Sequence, residues 1–283
     1  MFADFTMPLG AQTAKPELEV LRAQPSRQTL ARETPLVLVH GAFVGAWCYQ
    51  AHMLDYFAGQ GFRCYAPSLR GHGQSEGHAQ LDYAGIRDYV SDLARVIDDV
   101  PGPPPVLIGH SMGALVVQRY LERYPASASV LLAPVPPHGL MASSWRMAMG
   151  DPLLFARFGM MQTLGAQRVD ADMARRAVFS DRVAEADIHR YSGLIQRESQ
   201  RALWEMNLNA AGRPWMVADK RPMRVISAAE DALFASPETQ SVARLWRADW
   251  TQMAHMGHAM MLEPDWQVVG DDITRWLWAK GIR

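Results

Sequence analysis

The chain has 283 residues, 49% of them apolar, with 28 basic residues against 29 acidic ones for a formal net charge of -1. That length and composition suit one large folded unit with a sizeable core. The balanced charge, without a basic tract or an acidic tail, implies neither a nucleic-acid nor a charged-membrane partner. Cys48 and Cys64 are too few for a disulfide framework and sit in apolar segments, no apolar run reaches ~18 residues, and the first 20 residues lack a secretory pattern, so a cytoplasmic protein without a membrane span is expected.

Residues 1–16 read as an irregular arm, and 17–34 have room for one or two edge strands. Residues 35–40 form a short apolar run stopped by glycine, the pattern of a strand buried on both faces. A helix is predicted over 47–60, a strand over 62–66, a glycine-rich loop over 68–77 and an amphipathic helix over 83–100, which ends at a proline cluster. A strand at 106–109, a helix at 112–123 and a strand at 129–133 follow. From 135 to 215 the segments are helical, with no strand pattern. The alternation resumes with a strand at 223–228, a helix at 237–245, a strand at 248–252 and a helix at 264–278. Alternating strands and helices predict an α/β fold, a mostly parallel sheet with helices on both faces. The expected organisation is a core in two parts, 1–134 and 216–283, with a helical cap at 135–215 inserted after the fourth core strand, over the carboxyl ends of the strands, where ligands of such sheets bind.

Gly109-His110-Ser111-Met112-Gly113 fits G-x-S-x-G, a pattern that carries little alone. Here it joins an apolar strand to a helix, the setting in which the serine hydroxyl projects above the sheet edge from a strained turn. Glycines at 109 and 113 remove side chains that would clash there. A serine needs a base, and His258, in the loop between the last strand and the last helix, is the candidate nearest a turn. His255 is its nearby alternative. The base needs an orienting carboxylate: Asp231, three residues past the preceding strand, is preferred over Glu230. The order Ser111, Asp231, His258 suits this architecture. An oxyanion calls for convergent backbone N–H groups, expected from Met112 and from Ala42, with Phe43 second.

Together the segments His40-Gly-Ala-Phe-Val-Gly-Ala-Trp-Cys, Pro67-Ser-Leu-Arg-Gly-His-Gly-Gln-Ser75, Gly109-His-Ser-Met-Gly113, Ala228-Ala-Glu-Asp231 and Gly257-His258 resemble the α/β-hydrolase superfamily, over about 35–134 and 222–280. The nearest branches are small-molecule esterases, methyl esterases and hydroxynitrile lyases. Ala228 stands where that family usually has glycine. Serine at 111, in place of aspartate, separates the chain from haloalkane dehalogenases and epoxide hydrolases. It also lacks the lysine that hydroxynitrile lyases carry near the catalytic histidine. The resemblance implies a carboxylesterase-like serine hydrolase that works through an acyl-enzyme on a small, largely apolar ester, with no metal or cofactor. The same triad on an amide, lactone or C–C bond, perhydrolysis, and a non-catalytic small-molecule receptor stay open as alternatives, as does a homodimer. The cap segment is rich in Met141, Trp145, Met147, Met149, Leu153, Leu154, Phe155, Phe158, Met160 and Met161, which suits an apolar pocket. Phe43, Trp47, His138, Trp145 and Leu233 are the candidate substrate contacts; His72 and His110 read as structural.

Overall fold

The computed structural model describes residues 15–26, 31–164, 170–209, 212–218 and 221–282; of the predicted N-terminal arm, 1–14 lie outside them, as do the side chains of Phe158 and Met161. The first strand, β1 (Val20–Ala23), is the single strand among the described residues of 17–34 and lies at one edge of the sheet. β2 (Leu36–Val39) follows, then a one-turn helix α1 (Trp47–Gln50), α2 (Met53–Gly59) and β3 (Cys64–Pro67). The helix predicted over 47–60 is thus two pieces, because His52 leaves the helical region at φ -150°. Likewise only a 3₁₀ turn covers His78–Tyr83, and α3 (Ile86–Asp98) starts after an extended Gly85 whose N–H is accepted by the Asp88 carboxylate at 2.8 Å. β4 (Val106–His110), α4 (Met112–Leu121) and β5 (Ala128–Leu132) lead into five helices: α5 (Met141–Gly150), α6 (Pro152–Leu164), α7 (Ala171–Val178), α8 (Glu185–Ser192) and α9 (Gln200–Asn209). Then come β6 (Met223–Ala228), α10 (Ser236–Trp246), β7 (Asp249–Met253) and α11 (Trp266–Ala279).

The seven strands form one sheet in the order β1-β3-β2-β4-β5-β6-β7, parallel throughout except that β1 runs antiparallel to β3. Side chains alternate across it. Leu36, Leu38, Ile108 and Val130 fill the core on one face, against α1, α2 and α11; Val37, Val39, Leu107 and Leu131 fill the other, against α3, α4 and α10. Each such residue contributes about 1.5–3 kcal/mol relative to exposure. The chain leaves β2 toward β3 on one side, then returns to place β4 on the other. The loops after β2 and β4 therefore diverge, and a crevice opens between them at this switch point.

Candidate active site

The turn between β4 and α4 sits at that crevice. Ser111 is its N-cap residue, with φ 52° and ψ -117°, a conformation that costs a side-chain-bearing residue about 1–3 kcal/mol. Two things hold it there. The Ser111 N–H donates to Leu132 O at 2.9 Å. The start of α4 also packs onto the end of β2: a Cβ at Gly113 would lie 2.3 Å from Val39 O and 2.4 Å from His40 O, so no larger residue fits.

Asp231 and His258 follow β6 and β7, which lie side by side. The His258 Nδ1–H donates to Asp231 Oδ2 at 2.8 Å, and Asp231 Oδ1 accepts the N–H groups of Leu233 and Phe234, both at 2.8 Å. Both side chains are buried. His110 donates from Nε2 to His258 O at 2.9 Å, which ties the histidine loop to the serine turn. Burial, first, and the neighbouring His258 push the His110 value well below that of an ordinary histidine, so the ring stays neutral. The alternatives weighed from the sequence lie elsewhere. Glu230 and His255 face each other at 3.3 Å on the surface, clear of the cavity. Gly257 has no left-handed backbone conformation. Its role is close approach: a Cβ there would lie 2.6 Å from Phe179 C and 2.8 Å from Ser180 N.

The loop after β2 completes the crevice. His40 is fully buried; its Nδ1–H donates to Gly41 O at 2.8 Å while Nε2 accepts the Leu69 N–H at 2.9 Å. Burial, and then the nearby His72, lower its pKa to about 3, so it holds this one tautomer. Carbonyl and N–H of one peptide point in opposite directions. Drawing Gly41 O toward the imidazole therefore turns the Ala42 N–H away from it. Among the described residues, neither the Ala42 N–H nor the Met112 N–H donates to any protein group. The Phe43 N–H, the second candidate from the sequence, is engaged by Glu198 Oε2 at 3.3 Å.

Ser111, His258 and Ala42 share one cavity of about 380 Å³, whose walls are mostly apolar. Phe43, Trp47 and Leu233 line it as well, and the insertion between β5 and β6 supplies Met147, Phe155, Met173 and Phe179 among others. Two expected contacts are not brought there. His138 is exposed, and Trp145 is 71% exposed. On α5 the inward residues are Ser143 and Met147; Trp145 lies two residues from each, about 200° around the helix, and faces out. Ser111 Oγ and His258 open on the same cavity without a direct hydrogen bond between them. Among the described residues no group of His, Cys, Asp and Glu could hold a metal ion, and no helix is long and apolar enough to cross a membrane.

The insertion is fastened to each of these loops by polar groups that the sequence reading did not identify. Arg146 on α5 donates to Ala232 O and Leu233 O, beside Asp231. Glu263, buried behind His258, accepts from Gly257 N–H at 2.9 Å and from Ser180 N–H and O–H at 2.7 and 2.6 Å. Glu198 accepts from Phe43. Gly257 and Glu263 are six residues apart, but the other partners lie 83 to 155 residues apart, and no local pattern announces them.

A parallel sheet with a strained serine turn after a central strand, a carboxylate–histidine pair after two later strands and an apolar cavity above them define an α/β-hydrolase. The chain belongs to the alpha/beta hydrolase family, whose match spans residues 36–268. It is 28% identical to the monoacylglycerol lipase of Mycolicibacterium smegmatis over 256 residues, 86% of this chain and 87% of that protein. It is 33% identical to the methyl jasmonate esterase 1 of Vitis vinifera over 100 residues, 35% of this chain and 38% of that one. Among solved structures, a thermophilic esterase from Thermogutta terrifontis superposes with a TM-score of 0.69 at 20% identity, covering 94% of both chains, which is a likeness of fold.

Proposed function

We propose that this chain hydrolyses a carboxylic ester of a small, largely apolar substrate through an acyl-enzyme on Ser111. The chain is a hydrolase acting on ester bonds, as its lipase and esterase relatives support; the substrate and the route are the proposal. Ser111 Oγ attacks the ester carbonyl as His258 Nε2 takes its proton, and the N–H groups of Ala42 and Met112 receive the oxyanion. His258 then gives that proton to the departing alcohol. Water repeats the sequence on the acyl group and releases the acid. Asp231 holds the His258 tautomer and stabilises the imidazolium. The observation that carries the reading is the 2.8 Å Asp231–His258 bond opening onto a cavity that also holds Ser111 and the unengaged Ala42 N–H. The apolar lining is what favours an apolar acyl or alcohol group.

A fluorophosphonate probe tests the nucleophile, and a p-nitrophenyl ester series tests the bond and chain length. Ser111 should carry the label, and Ser111→Ala should fold normally and lose turnover. Ester cleavage by Ser111→Ala above about one percent of wild type would overturn the assignment, since a triad without its serine retains only about 10³–10⁴-fold catalysis over water. An amide and a β-diketone in the same panel separate ester hydrolysis from amide or C–C cleavage.

A further inference from the structure

Glu198 sits in the insertion between α8 and α9, 155 residues from Phe43, and is 2% exposed. Its carboxylate is fully engaged. Oε2 accepts the Phe43 N–H at 3.3 Å and His72 Nε2–H at 3.0 Å; Oε1 accepts the Tyr89 hydroxyl at 2.7 Å and the Ser199 N–H at 2.7 Å. His72 also donates from Nδ1 to Arg70 O at 3.0 Å. Both ring nitrogens therefore face acceptors, which calls for the doubly protonated ring. Burial alone would lower the His72 pKa, but the charge and hydrogen bond of Glu198 outweigh it and raise it. Burial would raise that of Glu198, and His72 outweighs it in turn. The pair is thus a buried ion pair, with His72 held by the loop after β3.

A buried ion pair is weak evidence for stability, because desolvating two charges consumes most of what their attraction returns. What this one touches is more informative. Phe43 has φ 66°, in the left-handed region that a side-chain-bearing residue rarely adopts. Its N–H is held by Glu198 and its C=O accepts the Gln196 N–H at 2.9 Å. Gln196 is fixed by its own side chain, which accepts from Gly73 N–H at 3.0 Å and donates to Gly71 O at 3.2 Å. On the other side of Ala42, His40 pins the Gly41 carbonyl. The peptides before and after Ala42 are therefore both constrained, one from within the loop and one from the insertion.

We infer that Glu198 is a positioning residue: it locks Phe43 in its left-handed conformation and so keeps the Ala42 N–H aimed at the oxyanion that forms on Ser111 chemistry. This rests on the reading of Ala42 as an oxyanion donor. Glu198 does not line the cavity that holds Ser111 and His258; it acts through the loop. In Glu198→Gln the amide nitrogen has two orientations. Facing Tyr89 and Ser199 it opposes the Ser199 N–H. Facing His72 and Phe43 it satisfies a neutral His72 but leaves the Phe43 N–H without its acceptor.

The test compares the full-length wild type, Ser111→Ala, Glu198→Gln and Tyr89→Phe on p-nitrophenyl butyrate, with a trifluoromethyl ketone as the oxyanion-forming inhibitor. Glu198→Gln should lose about ten- to a hundredfold in kcat, the scale of a displaced catalytic group, while KM stays within about twofold. Inhibitor affinity should fall by the same factor as kcat. Tyr89→Phe removes a donor to the other carboxylate oxygen and leaves the Phe43 bond intact, so its kcat should stay near wild type. If Glu198→Gln is too unstable to assay, Glu198→Asp keeps the charge opposite His72, draws the acceptor back by one methylene and is read the same way. Wild-type kcat and inhibitor affinity in the Glu198 variants would overturn the inference. So would a loss confined to KM, or an equal loss in Tyr89→Phe, which would mark a packing effect. Turnover by Ser111→Ala would instead sink the functional reading itself, whereas an inactive Ser111→Ala beside a fully active Glu198→Gln would sink only the role of Glu198.

Discussion

Two acids stand side by side after β6, and their surroundings separate them. Asp231 is buried, spends one oxygen on two backbone N–H groups and offers the other to His258. Glu230 is exposed, and its carboxylate meets His255 on the surface. A carboxylate whose position is set by its own loop can dictate which nitrogen of the imidazole carries the proton; a solvated one cannot. In Asp231→Asn, an amide that presents N–H to Nδ1 would select the wrong tautomer, and kcat should drop by about 10⁴. Glu230→Gln should leave kcat within about twofold, since exposed ion pairs contribute ~0–1 kcal/mol. Steady-state kinetics on one ester decides it: a large loss in Glu230→Gln with little in Asp231→Asn would exchange their roles.

At the level of elements, the serine turn works because α4 begins in contact with β2. Gly113→Ala places a methyl on the carbonyls of Val39 and His40, rigid backbone that cannot step aside. The helix must move, and such overpacking costs about 1–3 kcal/mol, or several degrees in Tm. Turnover should fall with it as Ser111 shifts. Gly59, in α2, has nothing within 4 Å of its Cβ direction, so Gly59→Ala should raise stability by about 0.4–1 kcal/mol. Thermal melts of the two variants check both signs, and equal effects would refute the contact argument. This pairing also marks what was legible in the sequence. The strand β2 is an uninterrupted apolar run, and β4, β5 and β6 are short, mostly apolar segments, as buried parallel strands tend to be. The serine turn was legible because strand, glycines and helix are contiguous. The break at His52 was not, since residues 47–60 keep helical spacing across it. Nor was the outward turn of Trp145: an apolar residue in an amphipathic stretch gives no sign of which face the rest of the fold will cover. Glu198 and Glu263 carry no local sign of burial, because their donors His72 and Ser180 come from far along the chain.

Across the whole molecule, two histidines are buried as neutral rings, and this sets how the fold responds to acid. Burial lowers His40 from the ordinary 6.5 to about 3 and His110 well below 6.5. In both cases the folded value lies under the unfolded one. Their contribution is therefore fully present above about pH 6.5 and is lost as the pH falls toward the folded values, because the unfolded chain takes up protons that the native state refuses. His72 has the opposite sign: its raised value means that its contribution is complete below the ordinary histidine range and fades only as the pH rises. It therefore offsets part of the loss near neutrality and none below pH 6. Between pH 6 and pH 5, each neutral ring removes about 1 kcal/mol, so the two together remove about 2 kcal/mol. Glu198 adds to the loss only lower down, since its value is below 4.5 and its contribution fades as the pH falls through that range. Thermal unfolding at pH 7, 6 and 5 should show Tm falling by about 4–8 °C over the last step, with a smaller change over the first. A Tm that is level from pH 6 to pH 5 would mean that the folded protein accepts protons at His40 or His110. Protonation of His40 would place a hydrogen on Nε2 and break the hydrogen bond from the Leu69 N–H, while the Nδ1–H could still donate to Gly41 O.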